Sequence, residues 1–134
     1  MTNPSPSPSL VSYELADGVA AIRMDDGKAN AMGFDMLAQL GAALDEAEQA
    51  AKVVVISGRP GKFSAGFDLS VMTSGEAAMQ GLVKSGAELL VRWYASPLPT
   101  VAACSGHALA MGCLLLLASD TRIGAEGTFK LGLN

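Results

Sequence analysis

Apolar residues fall along this 134-residue chain in short periodic runs that predict alternating strands and helices. Leu10 to Leu15 and Val19 to Met24 favour strands, and Ala16-Asp17-Gly18 between them carries the Asp-Gly signal of a tight hairpin. In the second run Ala20, Ile22 and Met24 alternate with Val19, Ala21 and Arg23, which predicts one buried and one partly wet face. After the polar loop Asp25 to Asn30, Leu37, Leu40, Leu44, Ala47 and Ala51 recur at three- and four-residue intervals, the stripe of an amphipathic helix. Val53-Val54-Val55-Ile56 follows without a polar break, as in a strand covered on both faces.

Gly58 to Gly66 is expected as a loop, and a second helix stripe runs through Met79, Leu82, Val83, Gly86, Leu89, Leu90 and Trp93. Lys84, Glu88 and Arg92, four apart, are expected to form a solvated line of mutually attracting charges. The prolines of Ser96-Pro97-Leu98-Pro99 stop that helix. Thr100 to Cys104 then predicts a buried strand, Ser105-Gly106 a loop, Leu109 to Ala118 a buried helix, and Thr121 to Ile123 the start of a further strand. The order ββα, βα, βα, β defines an α/β protein.

Composition adds that much apolar surface must be hidden, because half the residues are hydrophobic and only 16% are charged. A homo-oligomer is therefore expected. A net charge of −4 and nine scattered basic residues leave no patch to neutralise a nucleic-acid backbone. Cys104 and Cys113 lie in apolar surroundings without CxxC or His/Cys metal spacing, which suits buried free thiols and a reducing cytoplasm. The first nine residues alternate proline with polar residues, lack the basic and apolar regions of a signal peptide, and are expected to form a disordered tail before a core domain over 10–134. Leu109 to Ala118, the most apolar stretch, is about half the roughly 20 residues that a membrane-crossing helix needs.

Side-chain chemistry is scarce. The chain has one histidine and no HExxH, GxSxG, Walker lysine loop or GxGxxG after a strand. Ser105 and His107 suggest a hydrolase pair, but residues so close in sequence seldom face each other, and no acid is identifiable to orient the imidazole. His107 is expected to be structural or to line a pocket. More distinctive are two strand-loop-helix junctions, Ile56 to Leu69 and Val101 to Leu114, each with glycines where a buried strand gives way to a helix. The first N–H groups of a helix lack internal partners, so two converging junctions could grip one developing oxyanion.

Three segments in order resemble the enoyl-CoA hydratase/isomerase, or crotonase, superfamily. They are Gly27-Lys28-Ala29-Asn30-Ala31-Met32; Val53 to Gly58 leading to Lys62-Phe63-Ser64-Ala65-Gly66-Phe67-Asp68-Leu69; and Pro99 to Cys113, followed by Ala118 to Ile123. The resemblance covers essentially the whole chain after Ser9 and implies a spiral core of repeated ββα units, of which this is the N-terminal portion. It implies an acyl-CoA substrate, with no tightly bound cofactor and coenzyme A carried as part of the thioester. It implies backbone N–H donors at Phe67 and Met111, and Lys28, Ala29, Ala65, Asp68 and Leu69 around the coenzyme A moiety. For Asp68 a helix N-cap is an equal expectation. The family's oligomers, trimers or hexamers, are implied too.

Two departures narrow the expected chemistry. Ala110 and Met111 stand where the family often has Gly-Gly, adding bulk near the thioester carbonyl. Leu114 stands where two-glutamate hydratases carry their first glutamate, and the second would follow Asn134, so a truncated chain is expected. One remaining carboxylate would suit double-bond isomerisation better than addition of water; a non-catalytic acyl-CoA-binding or assembly module is the alternative.

Overall fold

The computed structural model describes residues 8–133. β1 (Val11–Ala16) and β2 (Val19–Met24) form the expected hairpin, with Ala16 opposite Val19 and the two-residue turn Asp17-Gly18 at φ 52° and 80°. Positive φ at both turn positions is the geometry that matches the right-handed twist of the flanking strands. Residues 1–7 of the expected tail lie outside the described residues. In its last two residues, Pro8 O accepts from Gln39 Nε2 at 2.9 Å, and Ser9 Oγ donates locally to Val11 O at 3.3 Å.

The chain continues through β3 (Ala31–Met32), α1 (Phe34–Ala50), β4 (Val53–Ser57), β5 (Gly61–Ser64), β6 (Gly66–Phe67), α2 (Leu69–Met72) and α3 (Glu76–Tyr94). It ends with β7 (Thr100–Cys104), β8 (Gly106–Leu109), α4 (Met111–Leu117), β9 (Thr121–Gly124) and β10 (Leu131–Gly132). A five-stranded sheet runs β1-β2-β4-β7-β9, parallel except for the hairpin, and a smaller sheet runs β10-β8-β5. Each ββα unit therefore places its first strand in the large sheet; β5, β8 and β10 carry the second strand of the later units into the small one. A third, two-stranded sheet joins β3 to β6.

The loop expected over Gly58 to Gly66 thus contains two strands, and the loop expected at Ser105-Gly106 opens β8, so that the last helix begins at Met111 rather than Leu109. These strands are only two to four residues long and carry glycine, serine, lysine and histidine, so no β-branched run announces them.

The core lies between the large sheet and its helices. Ala20, Ile22 and Met24 of β2, Val54 and Ile56 of β4, and Ala102 and Cys104 of β7 are buried, as are Leu37, Leu40, Leu44 and Ala47 of α1 and Leu82, Gly86, Leu89 and Trp93 of α3. The alternate residues Val53 and Val55 are only half-buried, so β4 is fully covered on one face rather than both. Val83 is 42% exposed, outside the buried stripe predicted for α3, and Leu117 of α4 is 60% exposed. Of the predicted charge line on α3, Lys84 and Glu88 are exposed as expected, and only Arg92 departs from it. Arg92 turns to α1, where its guanidinium donates to Gly41 O at 3.1 Å and pairs with Asp45 and Glu48.

Candidate active site

The site begins in the polar loop between β2 and β3. The Asp26 carboxylate accepts backbone N–H bonds from Lys28 at 2.7 Å, Asn30 at 3.0 Å and Ala31 at 3.1 Å. Burial pushes its pKa upward. The N–H donors of Asn30, Lys28 and Ala31, with the Arg59 charge, outweigh that effect and hold the carboxyl below its usual 3.8.

Asn30, fully buried at φ 56°, returns a bond by accepting from Asp26 N, and its amide donates to Met24 O at 3.0 Å and Phe63 O at 3.1 Å. Asparagine tolerates this backbone region because its short amide bonds locally. Ser64 Oγ donates to Asn30 O at 2.8 Å and accepts from Gly66 N at 3.2 Å, so one buried polar chain runs from β2 to β6.

That chain sets Phe67. β6 pairs in parallel with β3, Met32 opposite Phe67, and Asp68 N donates to Met32 O at 3.0 Å. Gly66, at φ 96°, lies so close to the β8–α4 junction that a Cβ there would stand 2.9 Å from Leu109 O and 3.4 Å from Met111 N. Only glycine permits both the backbone angle and the approach. The two predicted donors, on separate units of the fold, are thereby brought to neighbouring places. Met111 opens α4, where its N–H has no partner inside the helix. The N–H groups beside them are occupied: Gly66 by Ser64 Oγ, Asp68 by Met32 O and Ala110 by Gly132 O at 2.7 Å.

Four of the five positions expected around coenzyme A lie near the β3–β6 edge. Ala65 N donates to Ala29 O at 2.9 Å, the Arg59 guanidinium binds Lys28 O, and Lys28 and Asp68 line one cleft with Asp26, Gly33 and Val71. Leu69 projects into solvent, 75% exposed. Asp68 is a helix N-cap, its carboxylate accepting from Ser70 N at 2.9 Å and Ser70 Oγ at 2.6 Å.

His107 is structural. Its Nδ1 accepts from Lys130 N at 3.0 Å, its ring meets Phe129 edge-on at 5.3 Å, and Ser105 Oγ has no hydrogen-bond partner, His107 included. The hydrolase pair is therefore not assembled. Leu114 lines an apolar cleft with Leu90, Val91, Tyr94 and Leu117. Among the described residues no three of His, Cys, Asp and Glu cluster to hold a metal, and no helix is long and apolar enough to cross a membrane. Sequence reading assigned no role to Asp26, Asn30 or Ser64; the Asp-Asn spacing inside a short polar loop was the available signal.

Residues 14–133 match the enoyl-CoA hydratase/isomerase family model, and the chain belongs to that family. It is similar to human mitochondrial enoyl-CoA delta isomerase 1, 35% identical over 130 residues covering 93% of this chain and 43% of that protein. A probable enoyl-CoA hydratase of Bacillus subtilis is also 35% identical, over 93% of this chain and 50% of its own. The crystal structure of a Pseudomonas syringae family member superimposes with a TM-score of 0.90 at 47% identity, covering 93% of this chain and 54% of that one. The chain thus spans about half the length of the relatives it matches. The shared fold is the crotonase fold of ββα units.

Proposed function

We propose that this chain binds an acyl-CoA thioester with its carbonyl oxygen between the N–H groups of Phe67 and Met111, and that the protein's reaction is double-bond migration through an enolate. The observation that carries this is the approach of Gly66 to the start of α4, which places the Met111 nitrogen beside the residue that precedes Phe67. Backbone donors fixed by strand pairing and by the Asn30–Ser64 chain need no reorganisation as charge develops, and each such donor is worth about 3 kcal/mol in the transition state. Lys28, Ala29, Ala65, Asp68 and Leu69 would border the coenzyme A moiety along β3 and β6.

In the proposed step a base removes a proton from C2 of a 3-enoyl thioester. The C2–H electrons form the C2=C3 bond of the product as the original double-bond pair takes the returning proton at C4, the intermediate charge resting on the held oxygen. One carboxylate suffices for this shuttle, whereas two-base hydration uses a second. Leu114, packed among Leu90, Val91 and Tyr94, offers no carboxylate at the position expected for it. The same residue favours the second reading, a module that binds acyl-CoA without turnover. Self-association is part of the proposal, since Val91, Tyr94 and Leu117 leave an apolar face open to water at 67%, 74% and 60% exposure. Calorimetry with an acyl-CoA thioester on this chain, paired with a double-bond migration assay on a 3-enoyl-CoA with a full-length version that carries the base, tests the proposal. Binding with migration is expected, binding without turnover favours the module, and absence of binding overturns both.

A further inference from the structure

The helix α3 carries a buried glycine, Gly86, in its interior. Glycine is a poor residue there, because it loses more backbone freedom on ordering than any other and brings no side chain to the core. Its neighbours supply the reason. A Cβ on Gly86 would lie 2.6 Å from both Cε1 and Cζ of Phe67 and 3.5 Å from Cε of Met111. The bare helix backbone is thus the seat of the Phe67 ring, and the Met111 methyl reaches the same spot. Both residues whose N–H groups form the proposed oxyanion grip rest their side chains on one position of one helix.

We infer that Gly86 is a positioning residue, which sets the Phe67 N–H against the Met111 N–H by admitting the Phe67 ring onto α3. The inference rests on the oxyanion reading above. β6 is only two residues long, and its backbone is pinned on either side of Phe67 through Gly66 N to Ser64 Oγ and Asp68 N to Met32 O. A ring lifted off α3 therefore turns the Phe67 peptide between two fixed points instead of shifting the whole strand. The effect falls on the direction of one N–H, while the Lys28–Asp68 cleft, which does not include Gly86, keeps its lining.

The test is the infrared carbonyl stretch of an acyl-CoA labelled with carbon-13 at the thioester, bound to this chain. Two N–H donors lower that frequency relative to the free thioester. Gly86→Ala is expected to remove at least half of the lowering while changing the affinity for coenzyme A itself less than twofold. Adding Phe67→Leu to Gly86→Ala, which takes away the atoms that collide, is expected to bring the shift back to the level of Phe67→Leu alone. Should Gly86→Ala fail to fold, Phe67→Leu carries the test, since removing the ring that rests on Gly86 is expected to leave the shift below wild type, though above the half expected to remain at most in Gly86→Ala. No shift in the wild type overturns the oxyanion reading itself. A wild-type shift that survives Gly86→Ala, or a loss that Phe67→Leu does not restore, overturns the role of Gly86 alone; so does an undiminished shift in the single Phe67→Leu variant.

Discussion

Ala110 precedes α4 at φ 50° and ψ −117°, a region that glycine enters freely and a residue with a Cβ enters at a cost. Held strain of this kind is worth about 1–3 kcal/mol. Ala110→Gly releases it but gives the unfolded chain more freedom, which offsets about 0.4–1 kcal/mol. The net expectation is a stabilisation of about 1 kcal/mol. With a urea dependence of about 1.5 kcal/mol per molar, the unfolding midpoint should rise by about 0.7 M at unchanged slope. Gly66→Ala, at the same junction, serves as the opposite control: its φ of 96° and the 2.9 Å approach to Leu109 O predict a clear fall in midpoint. A lower midpoint for Ala110→Gly would refute the strain argument.

Further outcomes follow from the polar chain and the helix contacts. Asn30→Ala strips buried acceptors at Met24 and Phe63 of their donor and should cost about 2–4 kcal/mol in denaturant unfolding. The Asp26 carboxyl sits below its unfolded value, so its contribution is complete above pH 3.8 and is lost as pH falls through the lowered value. Urea midpoints of wild type and Asp26→Asn should therefore differ at neutral pH and converge in strong acid. Arg92→Ala, from a partly exposed position, should cost about 1 kcal/mol, with the ion-pair share shrinking in added salt. His107→Ala should loosen the Lys130 N–H, seen as faster hydrogen exchange there, and leave thioester binding intact.

Where hydrophobic spacing was strong, the sequence was a faithful guide. The Asp17-Gly18 hairpin, the stripes of α1 and α3 and the β7 strand all follow from period and turn chemistry. The short strands β5, β6 and β8 were illegible because their pairing is long-range and their residues carry no strand bias. That omission hid the second sheet, though not the site that it frames. The roles proposed for Phe67 and Met111 come from a resemblance and not from side-chain chemistry, since a backbone donor leaves no residue type to read. The buried chain Asp26–Asn30–Ser64 went unread for a related reason: polar residues in a loop look solvated until the fold closes over them. Arg92 shows the reverse error, a plausible local charge line replaced by a contact across helices.

In the proposed complex two backbone N–H groups receive the thioester oxygen. Isothermal calorimetry on this chain should compare an acyl-CoA thioester with the matching thioether, which lacks only that oxygen. Two neutral hydrogen bonds at about 0.5–1.5 kcal/mol each predict that the thioester binds roughly 5- to 150-fold more tightly. Equal affinity for the two ligands would contradict the account.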